Sequence, residues 1–163
     1  MPALGYIVEG IKCIRQHIQP SVVAYKDIDL SWMAGRIIVE VSLHEPTRWS
    51  FIFRPEVCFG VECLWRIVEH GKVVLTGEDH GQQFGLSTPI DAATKGTELL
   101  ANRQIITAQL REATADIVIE FNGGLRLEII QTSSGYESWQ MRDQAGVSFF
   151  AQGGGQICRW KSD

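Results

Sequence analysis

From Gly35 onward, short runs of alternating apolar and polar residues dominate the chain. Arg36 to His44 (RIIVEVSLH) alternates imperfectly and is rich in β-branched residues, which predicts a strand. Glu45-Pro46-Thr47 breaks it. Trp49, Phe51 and Phe53 then alternate with Ser50, Ile52 and Arg54 until Pro55, a second strand, and Val57 to Val61 is a third. Leu64 to Thr76 reads as a hairpin turning at His70-Gly71, which places Glu69 opposite Lys72. The stretch GEDHGQQFG, Gly77 to Gly85, is a polar loop.

One helix has a start signal. Thr88 is placed as N-cap, Pro89 as the first helical residue and Asp91 as the acid of a capping box. Ile90, Ala93, Leu100 and Ala101 share a face, and Asn102 ends a helix of about 12 residues. Strands resume with Gln104 to Leu110. Ile117 to Phe121 and Leu125 to Ile130 flank Asn122-Gly123-Gly124, the strongest hairpin signal in the chain. A three-residue loop sets Ile119 against Leu127, Ile117 against Ile129 and Glu120 against Arg126. A two-residue turn sets Ile119 against Arg126. A slip of one residue exchanges the faces of a strand, so the three-residue loop is expected. Ser138 to Arg142, Val147 to Ala151 and Gln156 to Trp160 complete the strands.

The opening thirty residues are ambiguous. Leu4, Ile7, Val8, Ile11 and Ile18 fit helical spacing, so an N-terminal helix is one reading, while Val8, Gly10 and Ile11 fit a strand equally. Pro20 ends either. The expected fold over residues 1–163 is a single α+β domain. It is strand-rich, a mostly antiparallel curved sheet with one central helix.

Composition narrows function by exclusion. The 163 residues carry 15 basic and 19 acidic side chains, a net charge of −4, which argues against a dedicated nucleic-acid binder. No run of 18 apolar residues predicts a transmembrane helix, and the start does not read as a secretory signal, so a cytoplasmic location is expected. Cys13, Cys58, Cys63 and Cys158 form no C-x-x-C pair and are expected to be buried free thiols. The five tryptophans are spread along the chain and are expected in the core or on sheet faces.

No nucleophile elbow, H-E-x-x-H or phosphate-loop motif is present. Neither a metal site nor a cofactor is expected, and the C-x4-C spacing of Cys58 and Cys63 is atypical of structural zinc. Gly153-Gly154-Gly155 leads into a strand rather than a helix, so it reads as a turn or bulge, not an anion cradle. Asp79-His80 is the one acid–imidazole pair in a polar loop.

In the C-terminal third, SSGYESWQMRDQAGVSFFAQGGGQICRW, preceded by WRIVEHGKVVLTGEDHGQQFG, resembles a group of small uncharacterised bacterial proteins. These have an E-x-W strand, a turn, and a glycine-rich hairpin ending in an aromatic. Glu137, Trp139, Gly153, Gly154, Gly155 and Trp160 carry the pattern across about the last half of the chain. The group resembles immunity proteins encoded beside bacterial toxin genes. The resemblance implies a protein-binding, non-enzymatic role, with a cognate toxin as partner and its active site occluded, and supplies no catalytic residues. Glu78, Asp79, His80, Gln82 and Gln83 are the candidate contact residues, with the acids facing a basic partner. On this reading His80 is a dispensable surface residue. Two alternatives stay open. One is a small-molecule-binding or enzymatic domain using the Asp79-His80 loop. The other is a structural adaptor recruiting a partner along a sheet edge.

Overall fold

The computed structural model describes residues 21–44, 46–55 and 57–161; the stretch read as helix or strand before Pro20, with Cys13 and His17, lies outside them. The strands are β1 (Ser21–Val22), β2 (Ile37–His44), β3 (Arg48–Arg54), β4 (Val57–Val61), β5 (Leu64–Glu69), β6 (Lys72–Thr76), β7 (Ile105–Leu110), β8 (Ile117–Phe121), β9 (Leu125–Ile130), β10 (Trp139–Arg142), β11 (Val147–Ala151) and β12 (Ile157–Lys161). The single α-helix among the described residues is α1 (Ala92–Leu100). The fold is strand-rich, with every described strand pair antiparallel.

The strands divide between two sheets rather than forming one. The seven-stranded sheet runs β1-β12-β11-β10-β4-β3-β2 and the five-stranded sheet runs β6-β5-β9-β8-β7. The chain passes from the first to the second between Val61 and Leu64 and returns between Ile130 and Trp139. Apolar residues on the inner face of each sheet need cover, and each sheet supplies it for the other. Trp65 on β5 meets Phe51 and Trp49 on β3 edge-on, with ring centroids 5.4 Å and 4.9 Å apart. One buried cluster draws on both sheets. The sheets also touch through backbone, where Ile37 bridges to Gln104 and the Ile105 N–H donates to the Arg36 carbonyl at 2.8 Å.

Both hairpin registers read from the sequence are present. Glu69 pairs with Lys72. Ile117 pairs with Ile129, Ile119 with Leu127 and Glu120 with Arg126, and the four apolar side chains are fully buried.

Three edge strands carry a bulge. β2, β6 and β7 each break register once, at Val39, Val74 and Ile106. Bulges on edges interrupt the row of free N–H and C=O groups on which another chain would pair. α1 lies along β2: the Thr97 hydroxyl accepts the Val41 N–H at 2.9 Å and donates to the Val41 carbonyl at 3.4 Å. Gly96 permits this approach, since a Cβ there would lie 3.3 Å from Val41 Cγ2.

The helix begins later than the sequence reading placed it. Asp91, not Thr88, is the N-cap, and its carboxylate accepts the Ala93 and Thr94 N–H groups. The helix spans nine residues and ends before Asn102, which takes a positive φ of 64°. Ile90 is outside the helix but packs against the core from the preceding loop.

Gly153-Gly154-Gly155 forms a 3-10 turn wedged between two other loops. A Cβ at Gly153 would lie 2.1 Å from the Gly135 nitrogen, and one at Gly155 would lie 2.0 Å from the Ala113 carbonyl oxygen. The Gly154 N–H donates to the Ser133 carbonyl, and the Tyr25 hydroxyl donates to the Gly155 carbonyl. Nearby, Trp139 is buried and its indole N–H donates to the Ala115 carbonyl at 2.7 Å. Of the E-x-W and glycine pattern, Trp139 and the three glycines therefore hold three loops together, while Glu137 is exposed. Trp49 and Trp65 are also buried, Trp32 and Trp160 half-buried. Cys58, Cys63 and Cys158 are free thiols; Cys158 is buried, Cys63 half-buried, and Cys58, contrary to expectation, exposed.

Candidate partner-binding loop

The polar segment after β6 folds back on itself before entering α1. Its first turn, Gly77–Asp79, is closed by a capping box in which the Thr76 side chain accepts the Asp79 N–H and the Asp79 carboxylate accepts the Thr76 N–H at 2.8 Å. Gly77 lies against the indole edges of Trp65 and Trp49, and a Cβ there would be 2.7 Å from Trp65 Nε1. The loop is thus seated on the aromatic part of the core.

His80 continues that seat. Its ring stands edge-on to Trp49 at 5.7 Å. Its Nδ1 accepts the Ala92 N–H at 3.2 Å, which places the ring proton of the neutral imidazole on Nε2. With Asp91 accepting from Ala93 and Thr94, and the Asp91 carbonyl accepting the Lys95 N–H at 3.0 Å, the first four N–H groups of α1 all have acceptors. Hydrogen bonds from the Thr94 hydroxyl and N–H and from the Ala93 N–H, with His80 nearby, hold the Asp91 carboxyl below its ordinary range.

Asp79 and His80 therefore do not act on each other. The Asp79 carboxylate turns to Thr76 and the His80 ring to Ala92 and Trp49. The expectation that His80 is a surface residue is corrected: it is half-buried and joins the loop to the helix. Asp79 is likewise half-buried.

The other three candidates are exposed. Glu78 and Gln82 present their side chains to solvent, and the Gln83 side-chain amide donates to the Leu86 carbonyl at 2.8 Å. Two backbone bonds form the neck of the excursion, from the Gly81 N–H to the Ile90 carbonyl and from the Ile90 N–H to the Gln82 carbonyl, each 2.8 Å. At the tip, the Leu86 N–H donates to the Gln83 carbonyl at 2.7 Å, with positive φ at Phe84 (45°) and Gly85 (78°). These are the features of a type I′ turn.

Phe84 and Leu86 at this tip are 71% and 48% exposed. Phe84 lies inside the stretch Gly77 to Gly85 expected as a polar loop, and Leu86 just beyond it. The signal available was two large apolar residues inside an otherwise polar, glycine-flanked stretch, Q-Q-F-G-L.

Among the described residues no group of three or more His, Cys, Asp or Glu side chains is placed to hold a metal ion, and no helix is long and apolar enough to cross a membrane. Comparison of the chain with protein-family models, curated proteins and solved structures found no match.

Proposed function

We propose that this chain is a binding protein whose contact surface is the loop between β6 and α1. The observation that carries the reading is the division of labour inside that loop. Asp79 and His80, the residues with chemistry to offer, are engaged in holding the loop and capping the helix. Glu78, Gln82 and the tip are turned to solvent. A surface organised in this way is suited to contact rather than to proton transfer, because a general base needs its lone pair free and its orienting acid beside it. The bulged edges favour a side-chain surface over sheet-edge pairing as the mode of recruitment.

On the resemblance of the E-x-W and glycine pattern, we propose that the partner is a cognate bacterial toxin and that binding occludes its active site. The acidic balance of the chain agrees with a basic partner, since charge complementarity speeds encounter and excludes wrong partners. The test is titration of the purified chain with the purified product of the gene adjacent to its own, together with co-expression of the two. Micromolar or tighter binding and relief of toxicity are expected. No binding at micromolar concentration rejects the reading, and turnover abolished by His80→Ala replaces it with the enzymatic alternative.

A further inference from the structure

Phe84 occupies a position that the fold would assign to another residue. The first central position of a type I′ turn requires positive φ, which asparagine, aspartate and glycine accept and bulky side chains resist. Phe84 takes φ 45° there and leaves 71% of its surface in water. Neither the turn nor the core gains from an aromatic ring at this point. When a local choice conflicts with the fold that carries it, the conflict points to a role outside the fold.

The tip is also held out firmly. Its turn is closed by backbone and side-chain bonds between Gln83 and Leu86, its neck by two bonds to Ile90, and its base by Asp79 and His80. A pre-set apolar prong loses little freedom on binding, and a single aromatic side chain filling a pocket is the usual centre of a protein interface. The charge around it selects the pocket. In the segment 77–98 the exposed charges are Glu78, Asp91 and Glu98 against Lys95 alone, Asp79 being turned to Thr76. Such a surface is repelled by anionic lipid and attracted by a cationic rim.

Resting on the proposed binding function, we infer that Phe84, flanked by Leu86, is the anchor of the interface and inserts into an apolar pocket rimmed by lysine or arginine on the partner protein.

The test compares the full-length wild-type chain with Phe84→Asn, a substitution that suits the turn. Two probes are used: the purified product of the adjacent gene, and vesicles of phosphatidylglycerol and phosphatidylethanolamine. Phe84→Asn is expected to melt no lower than wild type and to bind the protein about 30-fold more weakly. Glu78→Lys is expected to slow association and reduce its dependence on salt. Equal binding by wild type and Phe84→Asn overturns the inference and leaves the binding function standing. No binding by wild type rejects the binding function and the inference with it. Binding of wild type to vesicles, lost in Phe84→Asn, overturns the protein pocket in favour of a membrane. A clear fall in melting temperature for Phe84→Asn overturns the premise that the ring serves nothing in the fold.

Discussion

The Nδ1 of His80 accepts the N–H of Ala92, and this contact joins the loop after β6 to the first residue of α1. Twelve positions apart in sequence, the two residues, with the neck bonds between Gly81, Gln82 and Ile90, make one structural unit of the loop and the helix. Asp91, between them, accepts the next two N–H groups.

Loss of either acceptor leaves helix N–H groups without a protein partner. Asp91→Ala is expected to cost about 1 kcal/mol, the usual value of an N-cap, and His80→Ala a similar amount. For a chain of this size each should lower the melting temperature by roughly 2–4 °C. Because its carboxyl titrates below the ordinary range in the folded chain, the part of the stability that Asp91 supplies is present above about pH 4 and is lost as pH falls through its lowered value. Thermal melts between pH 2 and 6 on wild type and Asp91→Ala check this: the difference between the two should shrink at the acid end.

Glu128 is buried on β9, its side chain 6% exposed, between Arg66 on β5 and Arg126, whose Nε lies 2.6 Å from Glu128 Oε1. Replacing it with Gln leaves two guanidinium groups sharing a neutral partner. Removal of one member of a fully buried ion pair costs roughly 3–5 kcal/mol. Here the arginines are 39% and 41% exposed and regain water, so about 2 kcal/mol is expected. Urea titration of Glu128→Gln measures it, and a change below about 0.5 kcal/mol would show the triad to be surface decoration.

The three consecutive glycines should not be equivalent. Gly153→Ala and Gly155→Ala press a methyl group to 2.1 Å and 2.0 Å of other loops' backbone, and backbone cannot swing aside as a side chain can. Each is expected to cost more than about 3 kcal/mol. At Gly154 the nearest atom is 3.6 Å away, so Gly154→Ala bears only the cost of φ 73°, about 1 kcal/mol. Denaturation midpoints of the three variants should fall in that order, and a Gly154 variant as damaged as its neighbours would refute the packing account.

Burial pushes the Cys63 thiol up to about 12, so at neutral pH it stays protonated. The thiolate is the reactive form, and alkylation of Cys63 in the folded chain at pH 8 should lag far behind that of the denatured chain, as peptide mapping would show. The unfolded thiol ionises near 9 and the folded one near 12. The stability this group contributes is therefore full below pH 9 and declines as pH rises toward 12. Cys63→Ala should flatten that part of the alkaline stability profile.

Strand identity, the Glu69–Lys72 and Glu120–Arg126 pairs and the buried face of the Asn122 hairpin were determined by the sequence, because each depends on neighbours a few positions apart and on a side-chain period of two. Three matters were decided only by tertiary structure. The division into two sheets depends on which inner faces cover each other, as Trp65 covers Phe51, and alternation within one strand does not name its facing strand. The helix start moved from Thr88 to Asp91 because His80, far back in the chain, supplied the acceptor for Ala92 and let the helix begin there. The roles of the loop residues were exchanged for the same reason. Asp79 and His80 have the composition of a reactive pair, yet long-range seating on Trp49 and Trp65 turned them inward and left Phe84 outside. Residue type gives a side chain its chemistry, but whether that side chain faces water or backbone depends on contacts from elsewhere in the chain, and those appear only once the sheets have closed on each other.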